Sequence, residues 1–266
     1  MLNQIEESIA GKFGKTIWKP FHKALKEYQL ISPGDRIAVC ISGGKDSMLL
    51  ALCMQRLHRH NVIPFDLEFI VMDPGYAPEV RAKVLANAEK LGVPVRVWDT
   101  NVFQSAERSP KNPCFLCARL RRGWLYQKAQ ELGCNKIALG HHFDDVIETI
   151  LMGMLYGSQV QTMMPKLRSE NYPVEVIRPL YLVREENIKA WVSENGLEFI
   201  QCACSVSARE TKKESKRAKV GQLLKTLRET DPAVDMNIFR SVENVNLRTL
   251  ISYHSGDEYH HFLDNY

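Results

Sequence analysis

No apolar run in this chain of 266 residues approaches the roughly 20 that a membrane-spanning helix needs. A helical membrane protein is thereby excluded, and no membrane partner is expected. The first residues, Met1-Leu2-Asn3-Gln4-Ile5-Glu6-Glu7, lack a basic segment followed by an apolar core. The expectation is a chain with no secretory signal that works in the cytoplasm. Internal repeats and low-complexity linkers are also missing, which excludes a solenoid or a tethered array. Excess charge of one sign is small: 35 Lys and Arg against 31 Asp and Glu leave a net +4. Any argument for nucleic acid must therefore rest on local clusters. Two nucleotide signatures are absent as well. No glycine stands four residues ahead of a Gly-Lys pair, as a Walker A loop requires, and no G-x-G-x-x-G follows a strand.

What is present is a globular composition, 45% hydrophobic and 25% charged. The length suits one large α/β domain with a small appendage. Strands are expected at Arg36–Ile41, Leu67–Met72, Val95–Trp98 and Lys136–Leu139. Helices are expected between them at about Ser47–His60, Glu79–Leu91 and Cys117–Leu132, and then at Asp144–Tyr156. Asp145 and Glu148 have capping-box spacing at that last helix. This alternation implies a parallel sheet covered by helices on both faces. Further on, Val174–Ile177 and Leu197–Ile200 read as strands, Glu185–Glu194 as a helix and Arg209–Leu227 as a basic helix. The division expected is a helical N-terminal extension (1–34), the α/β domain (35–205) and a helical C-terminal extension (206–266). In the first of these, Trp18, Phe21, Leu25 and Tyr28 recur at helical spacing among Lys19, His22, Lys23 and Lys26. The tail Asp257–Tyr266 carries no usable pattern.

The most informative segment is Ser42-Gly43-Gly44-Lys45-Asp46-Ser47, between the apolar run Ile37–Ile41 and the apolar run Met48–Met54. A glycine-rich turn between strand and helix is an anion site, because glycines let the backbone approach a phosphate and the helix start offers unpaired N–H groups. Lys45 adds a fixed positive charge; Ser42 and Ser47 add hydroxyls. The hexapeptide is similar to the PP-loop, S-G-G-x-D-S, of the ATP pyrophosphatases.

Seven cysteines include Cys114-x-x-Cys117 and Cys202-x-Cys204. Without an export signal, metal or redox chemistry outweighs a disulfide framework. The first pair sits about one helical turn apart at a loop-to-helix boundary, so both sulfurs can face one metal. Taken alone that pair leaves zinc, iron–sulfur and dithiol roles open. With a distant third cysteine, three thiolates on a [4Fe-4S] cluster would leave one iron free to carry sulfide. Cys40, Cys53 and Cys134 lie in apolar surroundings and read as core.

Taken together, the PP-loop, the segment Cys114–Gly123, the segment Lys136–Asp145 and the pieces Pro165-Lys166-Leu167 and Ile177-Arg178-Pro179-Leu180 resemble the TtcA/TtuA family of tRNA thiolation enzymes, on its 2-thiocytidine branch. The resemblance covers residues 34 to 210. It implies an α/β fold of the PP-loop ATP pyrophosphatase (adenine nucleotide alpha hydrolase-like) type. By the same likeness Ser42, Gly43, Gly44, Lys45, Asp46 and Ser47 hold the ATP phosphates with Mg²⁺, and Lys45 and Asp46 are catalytic. Asp73, Gly140, His141 and Asp145 line the nucleotide. Cys114, Cys117 and Cys204 ligate the [4Fe-4S] cluster, Cys202 being the alternative third ligand because Cys-x-Cys departs from the family's Cys-x-x-Cys. The implied reaction is adenylation of the C2 oxygen of a tRNA pyrimidine, cytidine 32, followed by its replacement with sulfur. The implied partners are tRNA, a sulfur donor (sulfide or a cysteine desulfurase) and a second copy of the chain. Action on a small molecule or on a tRNA uridine is the alternative. Arg119, Arg121 and Arg122, which border the Cys-x-x-Cys, are the better candidates for RNA contact. Lys166 and Arg168, and the run Lys212, Lys213, Lys216, Arg217 and Lys219, are further ones.

Overall fold

The computed structural model describes residues 2–60, 63–107, 113–200 and 215–266. Six strands form one sheet: β1 (Arg36–Ile41), β2 (Asp66–Asp73), β3 (Val95–Asp99), β4 (Lys136–Ala138), β5 (Lys166–Arg168) and β6 (Glu175–Ile177), in the order β3-β2-β1-β4-β6-β5. All neighbours are parallel except β5, which closes the edge antiparallel to β6. β1 has five of its six residues buried, as a strand covered on both faces must. The helices are α1 (Leu2–Ala10), α2 (Lys19–Glu27), α3 (Lys45–Arg59), α4 (Pro78–Lys90), α5 (Val102–Glu107), α6 (Pro113–Glu131), α7 (Phe143–Gly157) and α8 (Glu185–Glu194), with a π-helical turn at Gly14–Trp18. Every residue of α3 from Ser47 to Met54 is buried, so this helix forms the middle of the core.

The chain reverses its direction of travel across the sheet at β1. Strands β2 and β3 lie on one side of it and β4 on the other. In doubly wound sheets ligands bind at such a switch point, outside the carboxyl ends of the strands. The PP-loop leaves β1 there, and Gly140 leaves β4 there.

The structure separates the chain into two compact units, residues 1–146 with 164–215, and residues 147–163 with 216–266. The N-terminal helices therefore count with the sheet. Their seam Ile5, Ile9, Phe13, Ile17, Phe21 and Leu25 is buried, and the Glu6 carboxylate pairs with Arg56 and Arg59 of α3. In the second unit, helices Lys216–Thr230 and Val234–Ser241 are tied by Arg228, whose Nε lies 2.9 and 3.0 Å from the two oxygens of buried Asp235. The tail forms a hairpin, β7 (Ser252–Ser255) with β8 (Glu258–His261). No helix among the described residues is long and apolar enough to cross a membrane.

Several local expectations need correction. Leu197–Ile200 joins no sheet; its backbone is held by side chains of α4, with Asn87 Nδ2 donating to the Glu198 carbonyl at 2.9 Å. Lys166–Arg168, where no strand is expected, is the edge strand β5. The capping box of α7 lies one turn earlier than Asp145/Glu148. His142 N–H donates to Asp145 Oδ2 at 3.0 Å, and Asp145 N–H to His142 Nδ1 at 3.4 Å. Glu148 instead pairs with Arg217 at 2.6 Å. A histidine ring can accept at an N-cap as a hydroxyl does, and that moves the helix start back. The basic helix begins at Lys216; residues 209–214 lie outside the described residues.

Candidate active site

The strand–turn–helix around Lys45 is built by its own short contacts. Gly43 has φ +81°, open to glycine at little cost. A Cβ there would stand 2.5 Å from Val84 Cγ2 and 2.8 Å from Ile200 Cδ1. The Ser47 hydroxyl, buried, accepts from Ser42 N–H at 3.1 Å and donates to the Gly44 carbonyl at 2.9 Å. It thus staples the turn closed. Gly44 caps α3 without any side-chain hydrogen bond to the helix start, which leaves the positive end of α3 facing the cleft.

Gly140 explains how β4 reaches this turn. A Cβ on it would lie 3.0 Å from the Asp46 carbonyl carbon and 3.1 Å from Ser47 N, so the two backbones touch where a side chain would otherwise stand. Gly140→Ala is expected to push β4 and α3 apart, at a cost of about 1–3 kcal/mol. Isothermal titration with ATP and a thermal melt check this: affinity should fall about tenfold or more, by the same arithmetic, in a protein that still melts cooperatively.

Lys45 Nζ lies 2.9 Å from Glu185 Oε1 and 3.0 Å from Asp46 Oδ1. Burial lowers the lysine pKa, but Asp46 and Glu185 outweigh it and the net direction is up. Glu185 receives the opposite treatment. Burial raises its pKa, yet Lys189, at 2.6 Å, and Lys45 bring it down to about 2. The two ammonium groups thus favour its ionised form. Its backbone N–H donates to Asp144 Oδ2 at 2.7 Å, so Asp144 fixes the start of α8 against that of α7. These side chains line a cleft of about 730 Å³ together with Ser42, Lys83 and the stretch Leu197–Ile200, roomy enough for a nucleotide. Sequence reasoning missed Glu185. An acidic pair at a helix start is ordinary complement to the helix dipole, and only the fold brings it to Lys45.

Glu185 competes for the ammonium that a phosphate would use. Glu185→Gln is expected to tighten metal-free pyrophosphate binding about fivefold, the scale of one partly exposed ion pair. Titration calorimetry tests this, and in a Lys45→Met background the gain should vanish.

The other expected nucleotide residues fall as follows. Asp73 is buried and spends both oxygens locally: Oδ1 accepts from Gly75 and Tyr76 N–H at 2.9 and 2.7 Å, and Oδ2 from Arg81 at 2.9 Å. It shapes the turn that carries Tyr76. Asp145 closes the capping box of α7. His142 is buried and His141 half-buried; the His142 Nε2 lies 3.8 Å from Asp46 Oδ1. That Asp46 oxygen is buried and lies 3.0 Å from Lys45 Nζ outside hydrogen-bond geometry, while Oδ2 accepts from Lys45 at 3.1 Å. A carboxylate oxygen left in this state beside a phosphate cradle fits a divalent cation of the Mg²⁺ kind, which takes one or two carboxylates and completes its shell with phosphates and water.

Cys114 and Cys117 both lie in the first turn and a half of α6, which begins at Pro113. Cys117 is half-buried. Tyr76 reports its position. Burial raises the Tyr76 pKa, Arg121 lowers it, and Asp73 and Cys117 raise it, while the Tyr76 hydroxyl donates to the Ser42 carbonyl at 3.3 Å. Tyr76 thus touches the PP-loop directly and feels the charges of Arg121 and Cys117. Cys202 and Cys204 lie outside the described residues; the described chain before them ends at Ile200, packed on Gly43. Among the described residues no three Cys, His, Asp or Glu side chains converge on one metal position. Cys40, Cys53 and Cys134 are buried, and burial pushes their thiols up, Cys40 to about 12 and Cys134 to about 11, which makes them inert core.

Comparison with known proteins agrees with this geometry. A family described as a PP-loop domain matches residues 15–223. The tRNA-cytidine(32) 2-sulfurtransferase of Syntrophotalea carbinolica is 38% identical over 247 residues, 91% of this chain and 94% of that one. The chain belongs to this PP-loop family. The enzyme of the same name from Geobacter metallireducens is 37% identical over 233 residues, covering 86% of this chain and 89% of its own. Among solved structures, the U34-tRNA thiolase NcsA from Methanococcus maripaludis with its [4Fe-4S] cluster superposes with a TM-score of 0.67 at 21% identity, over 85% of this chain and 76% of that one. That likeness establishes the shared PP-loop fold.

Proposed function

We propose that this protein is an ATP-dependent tRNA sulfurtransferase that converts cytidine 32 to 2-thiocytidine. The observation that carries the reading is the place of Tyr76, which touches the PP-loop and feels the charge of Cys117. The family's sulfurtransferases support the substrate.

The C2 carbonyl of a pyrimidine is a poor electrophile with a poor leaving group. Its oxygen attacks the α-phosphorus of ATP, the bond to the β-phosphate oxygen breaks, and pyrophosphate departs. Lys45 meets the charge that grows on that leaving group, together with the helix start behind it. Asp46 would hold Mg²⁺ through the carboxylate that now pairs with Lys45. A sulfur nucleophile then attacks C2 and AMP leaves with the former carbonyl oxygen. Cys114 and Cys117, with Cys204 or Cys202, would hold a [4Fe-4S] cluster, which would supply sulfide to the activated base. Tyr76, hydrogen-bonded to the PP-loop at the Ser42 carbonyl, would meet the splayed-out base. The sulfur derives from sulfide or a cysteine desulfurase, and the enzyme acts in the cytoplasm as a homodimer; Leu247, Ile251, Phe262 and Leu263, exposed in the second unit, are the apolar surface available for pairing.

Mass spectrometry of tRNA nucleosides from cells with and without the gene tests the reading. Loss of 2-thiocytidine is the expected result. Loss of a 2-thiouridine would move the target to a uridine, and an unchanged profile would move it to a small molecule.

A further inference from the structure

The N-terminal helices carry charge that the catalytic site does not use. Their core-facing seam, Ile5 through Leu25, is buried. On the opposite side Lys12, Lys15, Lys19, Lys23 and Lys26 are all exposed. Lys19, Lys23 and Lys26 lie on α2 at spacings of three and four residues, Lys15 lies on the π-helical turn that runs directly into it, and Lys12 lies on the turn before that. Lys12 pairs with Glu194 at 2.5 Å and Lys23 with Glu27 at 3.6 Å. Lys15, Lys19 and Lys26 make no ion pair with any described residue. At about 1.5 Å per residue the helical stretch from Lys15 to Lys26 runs for about 16 Å, long enough to follow two or three phosphates of one strand.

We infer that this lysine line is a docking track for the sugar–phosphate backbone of the tRNA, outside the catalytic cleft. The inference rests on the tRNA reading above and names a contact surface for it. Two features favour RNA over an acidic protein as the occupant. Protein interfaces gain most of their energy from exposed aromatic and apolar anchors and are depleted in lysine. Residues 4–31 expose no large hydrophobic side chain, and lysine is what they do expose. A phosphate backbone, by contrast, is recognised by regularly placed cations without apolar anchors. The track is also fixed to the sheet near the site. Lys166, beside the carboxyl end of β6, donates from Nζ to the Gln29 carbonyl at 3.2 Å, and Tyr28 packs edge-on against Tyr181 with ring centroids 5.2 Å apart.

The test is a salt titration of binding to unmodified tRNA transcript, comparing the full-length protein with its Lys15→Ala, Lys19→Ala, Lys26→Ala triple variant. All three positions are exposed and alanine favours helix, so the fold is kept; unchanged ATP affinity verifies that. The expected result is a dissociation constant raised at least about tenfold near physiological salt and a log–log salt slope shallower by about 2, at roughly 0.7 per lost phosphate contact. An unchanged slope overturns the track. Intact tRNA binding with loss of a sulfur-donating protein also overturns it and assigns the lysines to that protein. Wild-type protein that binds ATP but no tRNA would instead overturn the thiolation reading itself.

Discussion

Lys45→Met is expected to lower pyrophosphate release in the presence of ATP and tRNA by about 10²–10³-fold, the usual cost of removing one group that stabilises charge on a departing oxyanion. The methionine keeps most of the aliphatic stem and deletes the charge. The variant also leaves Asp46 and Glu185 facing one another without the ammonium now 2.9–3.0 Å from each, so an incoming polyanion meets two carboxylates instead of a compensated pair. Lys45→Arg should not rescue. A planar guanidinium cannot replace a compact ammonium in a position fixed by two short contacts. Radiolabelled ATP with thin-layer separation of pyrophosphate reads the loss directly. A variant retaining more than a tenth of wild-type turnover would remove Lys45 from the chemistry.

Cys117→Ser is the second large effect, and its value lies in what survives. Thiolation should fall below detection and the brown iron–sulfur absorption of anaerobically prepared protein should disappear, because serine is a poor ligand for iron–sulfur clusters. ATP affinity and melting temperature should stay near wild type, since Cys117 sits half-buried on the first turns of α6 and not in the core. Cys134→Ser, a buried thiol at the sheet, should show the reverse, a lower melting temperature with colour retained. If Cys117→Ser still makes thiolated tRNA, the cysteine helix has no part in sulfur transfer and the activity needs only the PP-loop.

How much of this was readable beforehand depends on how local each feature is. The PP-loop was legible because six contiguous residues and their apolar flanks encode strand, turn and helix without help from elsewhere. Strand β1 and helix α8 have the bounds their patterns suggest for the same reason. Strand β5 was not legible: three residues with one inward side chain leave no periodicity to find. Leu197–Ile200 has the composition of a strand but meets α4 and the glycine turn instead of a sheet edge, and composition does not encode neighbours. The histidine cap on α7 hid one turn ahead of a more conventional Asp–Glu spacing. Glu185 required the sheet itself, which brings the start of α8 back to the end of β1.

Ile200 closes on Gly43 from one side while the nucleotide cleft uses the same stretch, Leu197–Ile200, as a wall. Two residues further along the polypeptide stands the first of the distant cysteines. A ligand held by those cysteines would be tied through the adjoining main chain to the wall of the cleft, and whatever factor it imposed on ATP affinity, ATP would impose on its own binding in return.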